Sequence, residues 1–138
     1  LPPGTALRVC HEPLAAIRRR GIAVLRAAVI AAIGRPLRRL ADDNAIASNR
    51  RFAGVRNFTE RQPYRALFRR YIADPPHGLA IMCHPGYPDD ALRKLDPVVD
   101  SRSGELAYLS GADVLDDLAR AGATLSRFTA LCRMPPAH

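Results

Sequence analysis

The stretch that most constrains this chain is Leu79-Ala80-Ile81-Met82-Cys83-His84-Pro85-Gly86-Tyr87. Residues 79–82 form a short apolar run that reads as a buried strand. Pro85-Gly86 stops it at once, because proline lacks the N–H that a ladder needs and the pair favours a sharp turn. An imidazole, His84, is thereby set at the carboxyl end of a strand. Parallel α/β folds collect their catalytic groups at such ends.

The rest of the chain alternates strand and helix signals. Residues 7–10 read as a first strand, and His11-Glu12-Pro13 ends it and opens a helix, with Pro13 suited to the first turn. Leu14, Ile17, Ile22, Leu25, Val29 and Ile33 keep helical spacing. Gly21 breaks or kinks this run, and Gly34 and Pro36 interrupt it again, which leaves residues 37–46 as one more short helix. Residues 49–58 read as turn and strand. Pro63 opens an amphipathic helix with Tyr64, Leu67, Phe68, Tyr71 and Ile72 on one face, and the segment 74–78 closes it. Beyond the 79–82 strand come a short helix near 91–95 and helices over 103–109 and 113–121, with Gly122 as a cap. A last short strand is expected at 124–128. Residues 1–5 and 129–138 are expected to be flexible.

This order predicts an α/β fold, helix-rich, with about four short and mostly parallel strands. Four strands are too few for a closed eight-stranded barrel. They suit a small open sheet, or the second half of a barrel whose first half is absent. The 138 residues match one domain, here a single partial one, and the 48% apolar content supports a core. No stretch is apolar enough to span a membrane, since segment 22–33 is short and carries Arg26. No signal peptide is expected. The first residue, Leu1, is not Met, so the chain is expected to be processed or a fragment.

The net charge of +8 raises the question of a nucleic-acid partner. Of the 21 basic residues, however, only Lys94 is a lysine, and the arginines are spread along the whole chain. Together with abundant alanine, this resembles a GC-rich coding bias more than selection for phosphate, so no nucleic acid is expected. A small basic nucleic-acid-binding module remains the alternative, and its binding would weaken steeply with salt. Cys10, Cys83 and Cys132 are odd in number and lack CxxC spacing, which excludes a disulfide framework and a zinc site. Free thiols suit a reducing cytoplasm.

His84 reads as a general acid or base, as a metal ligand, or as a residue that merely caps its strand. The Pro-Gly turn favours function because it leaves the ring on the rim. Asp89-Asp90 could orient the imidazole or simply start a helix, where aspartate is favoured in any case. Arg102 and Glu105, three apart, share a helix face. Either Glu105 holds Arg102 toward the site, or the two form a surface ion pair. Arg18-Arg19-Arg20 reads as cations at a helix end, and Asp42-Asp43 as a solvated face. His11, His77 and His138 have no metal-ligand spacing. Cys83 and His84 alternate across a strand, so they are no dyad. There is no Gly-rich phosphate loop, GxSxG or HExxH.

The run Ile-Met-Cys-His-Pro-Gly-Tyr-Pro-Asp-Asp-Ala-Leu (81–92), with Leu95-Asp96-Pro97, Asp100-Ser101-Arg102 and Glu105-Leu106-Ala107-Tyr108-Leu109, resembles the C-terminal part of the YdjC-like carbohydrate deacetylases. Ser48-Asn49-Arg50-Arg51-Phe52-Ala53-Gly54-Val55 is similar to a Thr-Asn-x-x-Phe-x-Gly segment of the hopanoid-biosynthesis-associated branch, and His11-Glu12-Pro13-Leu14 to a Glu-Pro there. The likeness covers roughly residues 5–128. It implies a distorted (β/α) barrel and metal-dependent removal of an acetyl group from an N-acetylated sugar or glycolipid. His84 would be the catalytic residue. Tyr87, Asp90, Arg102, Glu105 and Asn49 would bind substrate or support the site. The resemblance also implies a divalent metal, Mg or Zn, whose ligands are an Asp-Asp motif and a His-x-His segment absent here. The chain is thus expected to be an incomplete fragment of a hydrolase, with an inactive truncated product as the plainer alternative. A homodimer is left open.

Overall fold

The computed structural model describes residues 2, 5–58, 62–96, 99–128 and 130. The elements run β1 (Ala6–Leu7), α1 (Leu14–Arg20), α2 (Val24–Asp43), β2 (Ala47–Ser48), β3 (Arg51–Ala53), α3 (Tyr64–Tyr71), β4 (Leu79–Ile81), α4 (Asp90–Leu95), α5 (Asp100–Ser110) and α6 (Asp113–Arg120). The α/β class and the parallel pairing of a few short strands agree with expectation, but β2 was not expected and the strand expected at 124–128 has no counterpart. They do not form one open sheet. β1 pairs with β2, Ala6 opposite Ala47, and β3 pairs with β4, Arg51 opposite Leu79. Each pair is joined through helices, so the chain is two successive βαβ units followed by α4, α5 and α6.

Asn49 welds the two units. Its buried side chain accepts from the Val9 N–H at 2.7 Å and donates to the carbonyls of Val9 and Arg51, both at 2.9 Å. Residues 7–10 were expected as strand. The strand stops at Leu7 because Val9 takes its bonds from this amide instead of from a neighbouring backbone.

The helix that was expected to break at Gly34 and Pro36 runs unbroken from Val24 to Asp43. No separate helix begins at residue 37. Pro36 lies on the exposed face with Ala32, where water can take the carbonyl that loses its partner. Gly34 lies on the opposite, buried side. A Cβ there would meet the Cys10 carbonyl carbon at 2.9 Å and the His11 nitrogen at 3.0 Å. This glycine therefore marks a close approach of α2 to the chain leaving β1. His11 Nδ1 and the Ala31 carbonyl lie 3.1 Å apart across the same contact, a bond in which the ring N–H donates. The large apolar residues of α2 face outward: Leu25, Val29, Ile33 and Leu40 are all exposed. The apolar surface left open thus belongs to a helix.

α3 is the centre of the core, as its spacing predicts. Leu67 and Tyr71 pack with Ile22 and Ala53, while Tyr64, Phe68 and Ile72 pack with Tyr108, Val114 and Leu118 of α5 and α6. Asp117, buried on α6, accepts from Arg65 Nε at 2.8 Å and from the Tyr108 hydroxyl at 3.1 Å, tying all three helices. The strand expected at 124–128 is absent. Residues 123–127 are irregular and have no strand partner. The expectation of flexibility at 129–138 concerns residues outside the described ones, apart from Ala130, and Cys132 and His138 fall there too.

A second buried carboxylate, Glu12, ties the first unit to β3 of the second. Glu12 accepts from Arg20 Nη1 at 2.7 Å, from Arg51 Nη2 at 2.7 Å and Nε at 3.0 Å, and from the Phe52 N–H at 2.9 Å. Burial pushes its carboxyl up. The hydrogen bonds of Arg51 and Phe52, with the charges of Arg20 and Arg51, outweigh this and hold it below the usual glutamate range.

Three substitutions test this packing. Gly34→Ala should destabilise by about 1–3 kcal/mol through overpacking against backbone. Gly104→Ala, on α5 with nothing within 4 Å of the added carbon, should instead stabilise by about 0.5–1 kcal/mol; urea unfolding checks both signs. The folded-state pKa of Glu12 is depressed, so its contribution is complete above the ordinary glutamate range and is lost as pH falls through the lower folded value. The stability gap between the parent and Glu12→Gln should therefore shrink on acidification from that range downward. A gap that stays constant to pH 3 would refute the assignment.

Candidate active site

The site is built at the end of β4. Gly54, at φ 100°, lets the chain leaving β3 pass against Met82; a Cβ would meet the Met82 carbonyl oxygen at 2.1 Å. The backbone then carries Val55 and Arg56 alongside residues 82–84. Met82 still donates its N–H to the Ala53 carbonyl at 2.9 Å, one step beyond the formal strand.

Glu105 is the anchor. It is fully buried on α5, and each carboxylate oxygen has its own partner. Oε2 accepts from the His84 backbone N–H at 2.5 Å, and Oε1 accepts from Arg56 Nη2 at 2.5 Å. Arg56 is itself only 5% exposed, so the pair is sequestered from water. Its guanidinium lies 4.8 Å from the centre of the Phe58 ring and 5.5 Å from that of Tyr64. Phe58 in turn meets the His84 imidazole edge to face, centroids 5.4 Å apart and planes at 81°. The contacts close into a loop: Glu105 to His84 backbone, His84 ring to Phe58, Phe58 to Arg56, and Arg56 back to Glu105.

His84 is half-buried, and among the described residues its ring makes no hydrogen bond. Among the described residues both ring nitrogens are unbonded, while the backbone and the ring are held. The Gly86 N–H donates to the Arg102 carbonyl at 3.3 Å, which fastens the Pro-Gly turn to α5. Cys83 has an exposed residue surface, and desolvation, with the Glu105 charge, pushes its thiol up, which disfavours the thiolate. Tyr64 lies beneath the cluster with its hydroxyl buried and unbonded. Burial, with Glu105 and Cys83 nearby, pushes it strongly up, so it remains neutral.

The other expected residues divide. Arg102 does not pair with Glu105. Its Nη2 donates to Asp96 at 2.5 Å, and Glu105 turns inward because a buried arginine awaits it there. Asp89 caps α4, accepting from the Leu92 N–H at 2.7 Å, and Asp90 stands exposed in the first turn. Neither is bonded to the imidazole. Tyr87 is 85% exposed on the rim. Asn49 commits its amide to the backbone of Val9 and Arg51, away from the end of β4. The sequence reading missed Arg56 and Phe58. Arg56 is one arginine among many and lies 49 residues from its partner. An aromatic two residues beyond a buried arginine was the one signal available.

Among the described residues no three His, Cys, Asp or Glu side chains converge as a metal ion requires. The divalent metal implied by the resemblance does not fit the described residues of this chain. Nor, among them, is any helix long and apolar enough to cross a membrane.

A clamped strand-end histidine with unbonded ring nitrogens is the kind of group an acid–base hydrolase carries. The chain matches the family model for YdjC-like protein over residues 2–120, and it belongs to that family. The family is associated with carbohydrate deacetylase-type function. No curated protein and no solved structure matches the chain.

Replacing Glu105 by Gln leaves Arg56 buried without its counter-ion, a loss of about 3–5 kcal/mol for one member of a buried pair. Replacing both, Glu105→Gln with Arg56→Met, should cost less than the sum of the single changes. Additive costs in urea unfolding would show that the two do not act as a pair.

Proposed function

We propose that this chain is the C-terminal part of a carbohydrate deacetylase, in which His84 serves the scissile amide of an N-acetylated sugar. The supporting observation is the strand-end clamp. Glu105 fixes the His84 backbone and Phe58 meets its ring, while among the described residues both ring nitrogens stay unbonded. In this reading the two parallel strand pairs contribute to a distorted (β/α) barrel, and their carboxyl ends face the substrate.

The chemistry follows from the amide. Water adds to the acetyl carbonyl and gives a tetrahedral intermediate. Its C–N bond then breaks, and the nitrogen must take a proton as it leaves, because an amine anion is too poor a leaving group. A protonated His84 supplies that proton, and the products are acetate and the free amino sugar. The same ring, once neutral, can accept a proton, which suits a residue on an open rim. Exposed Tyr87 and Asp90 stand on the loop and helix just beyond His84, placed to meet hydroxyls of the sugar. Arg102, through its carbonyl, supports the Pro-Gly turn beside His84, while Asn49, through its amide, supports the junction of Val9 and Arg51 further back.

The divalent cation of this reaction would draw its ligands from residues outside those described. In the hopanoid-associated branch the substrate would be a glycolipid, handled in the cytoplasm, where Cys10 and Cys83 remain free thiols.

The reading is tested in an enzyme completed by its upstream coding sequence, which should encode the Asp-Asp and His-x-His motifs. There His84→Ala should lower acetate release from an N-acetylated oligosaccharide about 10²–10⁴-fold, as for loss of a general acid. Turnover close to the parent would reduce His84 to a strand cap, and absence of both motifs would sink the deacetylase assignment.

A further inference from the structure

We infer that Phe58 is a positioning residue for His84, held in place by the Arg56 guanidinium. This rests on the proton-transfer role proposed above for His84. Glu105 grips only the backbone of His84, which leaves the ring's side-chain torsions unset. Among the described residues the ring has one partner, the face-to-edge contact with Phe58 at 5.4 Å. Such an aromatic pair has a preferred geometry and restricts the ring to a narrow range of orientations.

Phe58 could not do this alone. It follows the irregular segment 54–57, and a loop aromatic at half burial would ordinarily sample several rotamers. Arg56 removes that freedom. Its guanidinium stands 4.8 Å from the Phe58 ring centre and is locked by Glu105. The Arg26 guanidinium, reaching from α2, stands 5.8 Å from the same ring and also donates to the Arg56 carbonyl at 3.4 Å. Two cations on one ring, one of them buried, make a fixed platform. Glu105 thus sets His84 twice, directly through the backbone N–H and indirectly through Arg56 and Phe58. A proton donor misplaced by about 1 Å can lose as much as 10²-fold in rate, which is the reason to fix the ring as well as the chain.

The test needs no substrate in its first arm. In nuclear magnetic resonance of the 138-residue chain, Phe58→Leu should shift the His84 ring-proton signals and erase their cross-peaks to residue 58. Signals of residues 79–81 should stay in place, which shows that the strand survives. Phe58→Tyr should restore the shifts. In the second arm, on the completed enzyme, Phe58→Leu should lower kcat about tenfold or more with KM little changed, and Phe58→Tyr should recover it. Unmoved His84 ring signals in Phe58→Leu would overturn the proposal. So would an effect confined to KM, which would make Phe58 a substrate contact. If the ring signals respond as expected but the completed enzyme deacetylates nothing, the positioning stands and the proposed reaction fails.

Discussion

Everything near the strand ends depends on one carboxylate. Glu105 is withdrawn from water on α5, and an isolated charge there would be untenable. It is tolerable because one oxygen takes a backbone N–H and the other a guanidinium that is equally buried. That pairing draws the chain after β3, the chain after β4 and α5 to one point. The His84 turn exists as a defined shape because three separate segments meet on a single side chain.

The same device appears where the first unit meets the second. Glu12 takes the Phe52 N–H on one oxygen and shares two arginines, just as Glu105 takes the His84 N–H and Arg56. Each βαβ unit is short of strand, with two or three residues per ladder. Such brief ladders supply few backbone bonds. Buried carboxylates, with the Asn49 amide, replace the ones that longer strands would have made. Much of the positive charge is spent this way. Arg20, Arg51, Arg56 and Arg65 all close on carboxylates of the same chain. An arginine-rich composition here reflects internal pairing, and a cationic face for phosphate is a separate matter.

Membership of the YdjC-like family gives the strand-end histidine a chemical setting, and the geometry gives it a mechanical one. The imidazole is held from behind and open in front. Rigidity comes from the buried side, through Glu105, Arg56 and Phe58, while the exposed side carries Tyr87 and Asp90. A rim built this way separates the buried groups that hold the imidazole from the exposed ones beside it.

Much of the architecture could be read from the chain. The α3 face, the apolar 79–82 run and the Pro-Gly stop were legible because each depends on local spacing or on a residue's own backbone limits. Those signals also located His84 and the helix that carries Glu105. Where the reading failed, a distant contact had overruled a local preference. Gly34 and Pro36 resemble a break until Cys10 packs against one and solvent covers the other. Residues 124–128 have strand-like composition but no neighbour to pair with. Arg102 and Glu105 share a helix turn, yet Glu105 points inward to Arg56 and Arg102 pairs with Asp96, because a carboxylate buried on that face needs its partner there. The sequence by itself determined the α3 face, the 79–82 strand and which imidazole ends it. Only the tertiary structure decided which charges are buried together, since that depends on residues 49 apart arriving at one point out of water.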